Sequence, residues 1–528
     1  MTEALPGAGG GAWAAPHPGG WARDFRFGEW LGDPLTPLFE TWLLPVLERA
    51  FWAAQLRVAG MPTPEPTYVV VNGWYFTSLN FWPPSALGWL WQLARHPRLL
   101  RVLLQFVPPL VDAALAPWVR EWREDGLPRY RALVEVAERE LDDLDAEGLC
   151  ALVDRLGAAA GEYFVWIALV AGAGYKTEAP LARFYRRHLF PTLGGNHQAL
   201  LGGASSAIPS AAAHAVHSLD WWHPTRGEAG EAGEVGEPGE TGTRERVDRS
   251  DGSSRTTARD RAEGAEREAR GALARRPRRL SEFERLLATA RRYAALREAI
   301  VAPFTLAWPV LRRAALRLGD RVAGVDGVDG VDGVAGTAGL ASGDDVFFLT
   351  REELAGALRG EGGARGSVAA RREEWERRRA LVAPLRIGLA PRAFQRGLDD
   401  LQEALAPAAV AVGAVGRAGT AGAQLRGAPA SAGRARGPAR IIRGPHEFDR
   451  LRPGDVLVAP ATAPAWTPLF ARAVAVVTDT GGVLAHTSLV AREYGIPAVV
   501  GVGDATARLR DGEVVLVDGT AGTIDVTR

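Results

Sequence analysis

The 528-residue sequence has one cysteine, two methionines and a single lysine, Lys176. With Cys150 alone no intrachain disulfide can form, so nothing points to an oxidising compartment, and a cytoplasmic location is the expectation. The shortage of lysine is not a shortage of charge: Lys plus Arg number 62, as do Asp plus Glu, and the formal net charge is zero. That balance gives no electrostatic case for nucleic acid or an anionic membrane as a partner. Long charge-free apolar runs are missing too. The candidates 102-VLLQFVPPLV-111 and 163-YFVWIALVAGAGY-175 fall short of the roughly 18 residues of a membrane helix and read as buried helix. The N-terminal MTEALPGAGGGAWAAPHPGG has neither the basic start nor the apolar core of a signal peptide. No cluster with metal-ligand spacing stands out, so no metal site is expected in the chain.

What is present is enough for two or three domains. After a glycine- and proline-rich stretch to residue 25, read as a disordered tail, the region 26–408 carries helical periodicity, as in 34-PLTPLFETWLLPVLERAFWAAQLRVAG-60 and 127-LPRYRALVEVAERELDDLDAEGLCALVDRLG-157. Two low-complexity insertions interrupt it. Residues 226–275, including 227-GEAGEAGEVGEPGETG-242, have almost no large apolar side chains with which to offset ordering entropy. Residues 321–343 include 324-GVDGVDGVDGVAGTAG-339, whose aspartates recur every third position, whereas a calcium-binding EF-hand loop needs alternate ones and a closing glutamate. Residues 409–424 read as a flexible linker.

From 425 to 528 the period changes. Short β-branched runs at 455–460, 473–479, 497–501, 513–518 and 523–526 alternate with glycine turns and with two helical stretches, 466–473 and 485–494. The expected fold is multidomain: a large all-α domain followed by a small α/β domain of about one hundred residues.

The stretch 478-TDTGGVLAHTSLVAREYGIPAVVG-501 carries the chemistry. A strand leads into Gly481 and Gly482, and a helix follows that stops at Gly495 and Pro497. His486 falls in the first helical turn, where unpaired backbone N–H groups and the positive end of the helix dipole favour an anion. An imidazole there is disfavoured in its charged form, so a ring nitrogen keeps its lone pair for attack. Once phosphorylated, the same N–H groups and the hydroxyls of Thr487 and Ser488 can hold the new charge, and Gly481 and Gly482 let the backbone approach.

This stretch resembles the signature of the swivelling phosphohistidine domain of PEP-utilizing enzymes, and the likeness extends back through 425-LRGAPASAGRARGPARII-442 and 452-RPGDVLVAPATAPAWTPLF-470. The resemblance implies that His486 carries a phosphoryl group. It differs in one respect: Leu484 and Ala485 precede the histidine, where that family usually has a hydroxyl residue. The segments 28-GEWLGDPLTPLFETW-42, 344-DDVFFLTREEL-354 and 371-RREEWERRRALVAPLRIG-388 resemble the helical substrate-binding domain of the rifampin phosphotransferases. Those proteins add an ATP-grasp domain, and other family members a PEP/pyruvate barrel; neither is recognisable here. The letters 172-GAGYKT-177 lack the spacing of a P-loop.

The resemblance therefore implies a phosphotransferase component. His486 would take phosphate from ATP or PEP, with Mg2+, bound on a separate ATP-grasp-type partner, and pass it to a hydroxyl of a small molecule held by the helical domain. The linker, with a root-mean-square span of roughly 20 to 25 Å, suits such a swing. Candidate substrate-binding residues are Trp74, Tyr75 and Trp82 in a dense aromatic run, and Lys176 and Arg183, with Arg186, Arg187 and His197 nearby. For any single aromatic core packing is the favoured reading, and an exposed helix face accounts for the arginines equally well. The alternative is a non-catalytic small-molecule binding protein with a degenerate phosphohistidine domain.

Overall fold

The computed structural model describes residues 13–526 apart from 202–217, 224–257, 324–339, 390–395 and 397–423 and shorter stretches at 24–25, 81–85, 106, 108–109, 195–196, 341, 362–366, 382, 385, 463–465 and 482–485. The expected linker at 409–424 lies outside the described residues, except for Gln424.

The helical body is built on α1 (Leu44–Ala59), α2 (Leu127–Glu140), α3 (Ala146–Trp166), α4 (Ala173–His188), α5 (Ala258–Leu273), α6 (Pro277–Val301) and α7 (Trp308–Ala323). Helix α1 ends at Gly60 in the left-handed conformation, and α3 starts at Asp145, whose carboxylate accepts the Gly148 amide. The two helices pack closely where α3 presents small residues: a Cβ on Gly161 would stand 2.4 Å from the Leu47 carbonyl. The core between them is aromatic, with Phe27, Phe51, Phe164 and Phe304 in mutual edge and tilted contact. The stretch Pro277–Ala323 contains a window long and apolar enough to cross a membrane by length and composition, and 59% of that window is buried inside the body.

Three features depart from the sequence reading. The stretch read as a tail to residue 25 contains strand β1 (Gly20–Ala22), held in place by the fully buried Trp21. It joins β2 (Tyr68–Val71), β3 (Trp74–Ser78) and β4 (Arg386–Gly388) in a small antiparallel sheet of order β2-β3-β1-β4. The body is therefore helical with a sheet at one side. Three-residue strands give no period to read, which is why β1 and β4 were not expected. The insertion read as 226–275 ends instead in helix α5, which buries Ala262, Ala269 and Leu273. Its arginine-rich sequence masks an apolar stripe of small residues. Residues 321–323 of the second insertion belong to α7.

The C-terminal domain is an eight-stranded sheet of order β5-β12-β11-β7-β8-β9-β10-β6. Its strands are β5 (Gln424–Arg426), β6 (Ala428–Ser431), β7 (Arg434–Ile441), β8 (Val456–Ala459), β9 (Ala475–Thr478), β10 (Ala498–Val500), β11 (Val514–Asp518) and β12 (Thr523–Val526). Strands β7 to β10 are mutually parallel, and the pairs β6/β10, β7/β11, β11/β12 and β5/β12 are antiparallel. Every residue of β8, β9 and β10 is buried. Parallel strands covered on both faces need such continuous apolar runs rather than alternation. Between β9 and β10 runs the one helix of the crossover, α8 (His486–Tyr494). It stops at Gly495, in the left-handed conformation, where the Ile496 amide reaches back to the Ala491 carbonyl at 3.0 Å.

Candidate functional site at the carboxyl ends of the parallel strands

Helix α8 opens at His486, so the histidine occupies the first helical position just beyond the carboxyl end of β9. In open α/β sheets this is where ligands gather, because the loops that leave the parallel strands and the helix N-termini converge there.

Three strand ends build the setting. From the loop after β8, Thr462 shares a 2.7 Å hydrogen bond with Thr487, the second residue of α8. From the end of β9, the Thr480 hydroxyl and amide both donate to the Pro460 carbonyl, at 2.8 and 2.9 Å. Gly481 follows with φ of 120°, open only to glycine. From the end of β10, Gly501 lies so close that a Cβ on it would stand 2.6 Å from the Gly481 carbonyl. Asp479 fixes the same corner from below, accepting the Thr506 amide at 2.9 Å and the Thr506 hydroxyl. Burial raises the Asp479 carboxyl above its ordinary range, and the bonds from Thr506 offset part of that shift. The corner is thus pre-shaped by hydrogen bonds that do not involve the histidine.

The hydroxyls expected to cradle phosphate are inside the domain in this arrangement. Thr487 is buried with its Oγ1 on Thr462, and Ser488 is fully buried with its carbonyl accepting from Arg492 Nε at 3.0 Å. Gly482 lies outside the described residues.

The candidate substrate residues are dispersed. Trp74 and Tyr75 are buried in β3: the Trp74 indole donates to the Arg378 carbonyl at 3.3 Å beneath the Arg23 guanidinium, and the Tyr75 hydroxyl bonds to Glu48. Trp82 lies outside the described residues. Arg183 is exposed on α4. Lys176, near the start of α4, donates to Gln105 Oε1 at 2.6 Å, and burial lowers its amine to about 8. A separate cleft of about 520 Å3 opens between α1, α2 and α3, with Arg57, Arg129, Glu162, Tyr130 and Trp166 among its lining. None of the described candidates from the sequence lines it.

One contact was not legible at all. Glu178, two residues past Lys176, receives Arg492 Nη1 at 2.9 Å, so α4 of the body and α8 of the C-terminal domain meet through a buried ion pair. His197 Nε2 stands 2.9 Å from the same carboxylate oxygen. Burial alone would raise the Glu178 carboxyl; Arg492 and His197 outweigh it and hold it at about 2. Arg492 stood inside the quoted motif, but nothing local indicates a partner 314 positions away.

The C-terminal unit is thus a small α/β domain with a histidine at the start of the β9–β10 crossover helix. Comparison with known proteins shows that residues 451–522 match the family described as PEP-utilising enzyme, mobile domain. The matched segment lies within this C-terminal domain. It is 56% identical over 100 residues to an uncharacterised phosphotransferase of Bacillus subtilis, a match covering 19% of this chain and 12% of that protein. It is 38% identical over 187 residues to a rifampicin phosphotransferase of Streptomyces sviceus, covering 35% of this chain and 20% of the relative. Against the phosphoenolpyruvate synthase of Escherichia coli the identity is 50% over 86 residues, 16% of this chain and 11% of that one. The matches span a fifth or less of these relatives' own length.

Proposed function

We propose that the chain is the phosphoryl-carrier component of a phosphotransferase, with His486 as the carrier. The observation that carries this reading is the placement of His486 at the first position of α8, past the end of a parallel strand, inside the segment matched to the mobile-domain family. Relatives named as phosphotransferases and phosphoenolpyruvate synthases support the reaction class.

In the first half-reaction a neutral ring nitrogen of His486 attacks phosphorus of ATP or PEP. A nitrogen–phosphorus bond forms as the bond to the donor oxygen breaks, and the leaving group keeps that electron pair. In the second, a hydroxyl oxygen of a small molecule attacks the same phosphorus. The nitrogen–phosphorus bond breaks, the hydroxyl proton passes to a base or to water, and the neutral imidazole returns. The helix start favours the anionic intermediate through its amides and dipole. Magnesium at the donor would neutralise phosphate charge. Among the described residues no group of three or more His, Cys, Asp and Glu side chains is placed to hold a metal ion. The proposal assigns magnesium and donor to a separate nucleotide-binding protein of the ATP-grasp type, and the acceptor to the helical body.

The test is acid-labile phosphate on the full chain after incubation with magnesium and either ATP or PEP, with and without an ATP-grasp-type partner. Label on the wild type that is lost in His486→Ala supports the carrier role, and dependence on the partner supports a divided enzyme. No label in any arm contradicts the proposal and leaves a small-molecule binding protein as the better reading.

A further inference from the structure

Among the described residues, two segments of the helical body supply polar contacts to the mobile domain. Helix α4 supplies Glu178, and the 3-10 helix His197–Leu200 supplies His197 and Gln198. Opposite them stand Arg492 of α8 and the Ala430 carbonyl of β6. Arg492 uses its two ends differently: Nε donates to the Ala430 and Ser488 carbonyls at 3.1 and 3.0 Å, inside its own domain, while Nη1 reaches across to Glu178. Gln198 Nε2 also crosses, to the Ala430 carbonyl at 3.5 Å.

The burial of these groups makes the contact conditional on docking. The side chains of Arg492, Glu178 and His197 are only 5%, 7% and 4% exposed. A charge this far from water is tolerated only while its partner is in place. When the domains part, each group returns to water and the pair vanishes. Its geometry also transmits position: Arg492 follows His486 by six residues on one helix, about 9 Å along the axis, so pinning the arginine sets where the helix start lies relative to the body.

We propose that Glu178, supported by His197, is the docking residue of the helical body, which positions the helix bearing His486 by engaging Arg492. This inference rests on the phosphoryl-carrier reading and adds to it the side of the body at which transfer occurs: the N-terminal part of α4, where Lys176 also lies. Glu178 and Arg492 are positioning residues, and neither is assigned contact with the reacting phosphorus.

The test uses the full chain in three forms: wild type, Glu178→Gln and His197→Gln. Glu178→Gln leaves the bonds from Arg492 to Ala430 and Ser488 intact, so the mobile domain itself is not disturbed. Amide exchange is read at 197–201, together with the radius of gyration by small-angle scattering. The docked wild type should protect 197–201. Glu178→Gln should speed exchange there at least about tenfold and enlarge the radius of gyration, with β8 and β9 unchanged; because Glu178 also holds His197 within the body, the enlarged radius is the reading that assigns the change to docking. His197→Gln should act in the same direction and more weakly, and it serves as the reading if Glu178→Gln fails to fold. Unchanged exchange and radius in the folded variants would overturn the proposal. Labelling of His486 is measured alongside: label that persists in Glu178→Gln while the domains separate supports a docking role distinct from the chemistry. Absence of label in the wild type defeats the carrier reading without touching the exchange result.

Discussion

In the mobile domain, alternate residues of the same strands form two separate apolar layers, Leu457, Val476 and Val500 on one face and Val456, Val477 and Val499 on the other. Its polar groups collect at the strand ends, where Thr462, Thr480 and Asp479 shape the loop before His486. The helical body does the reverse and keeps charges inside. Glu48 accepts the Trp52 indole at 2.9 Å and the Tyr75 hydroxyl, with the Arg26 guanidinium 4.2 Å from the Trp52 ring. Asp220 accepts the Thr36 amide and hydroxyl at 2.6 and 2.8 Å across 184 positions, and Arg312 donates to the carbonyls of Trp221 and Trp222. A sheet layered on both faces gets its shape from backbone ladders and apolar contact, so polar residues are left for the site. A body made of helices and short strands far apart in sequence uses buried polar contacts to fix which segments meet.

That comparison can be broken at three points. The largest effect is expected in the body, where Glu48→Ala would leave the Trp52 and Tyr75 donors buried without their acceptor, at a cost of about 3 kcal/mol or more. Burial raises the Glu48 carboxyl above its ordinary range, with the bond from Tyr75 and the charge of Arg26 opposing. Glu48→Gln, which keeps an acceptor, should lose less; denaturant midpoints of the two variants would show it, and an unchanged midpoint in Glu48→Ala would deny Glu48 its structural part. Next comes the loop corner. Gly501 has φ of 68° and no room beside the Gly481 carbonyl, so Gly501→Ala should cost about 1–3 kcal/mol and lower the unfolding temperature of the mobile domain while sparing the body. The smallest effect is at Thr487→Val, about 1 kcal/mol, from the loss of one buried hydrogen bond to Thr462. A change at Thr487 as large as that at Glu48 would mean that the strand ends also hold the fold together.

How much of this could be read in advance follows the same division. The runs expected at 455–460, 473–479 and 513–518 are strands at Val456–Ala459, Ala475–Thr478 and Val514–Asp518, because β-branched residues between glycine turns are a local signal. The helix expected from 485 opens at His486 and stops before Gly495, also for local reasons. The helix expected at 466–473 is shorter, Thr467–Phe470. In the body, strands β1 and β4 pair across more than 360 positions, with Trp21 opposite Ile387, and no periodicity reaches that far. The aromatic run around Trp74 and Tyr75 looked like a pocket because composition does not say which way a side chain faces; here both are in the core. Glu178 and Arg492 have the same problem in sharper form, since each sits on an ordinary helix and its partner lies 314 positions away.

The most direct measurement is localisation of phosphate by mass spectrometry under alkaline conditions, which preserve phosphohistidine, after the full chain has met magnesium, a donor and an ATP-grasp-type partner. The account predicts a phosphoryl group on the peptide spanning 478–501, assigned to His486 and absent from His486→Ala. Phosphate on another residue, or a chain that stays unmodified with every donor and partner, would contradict it.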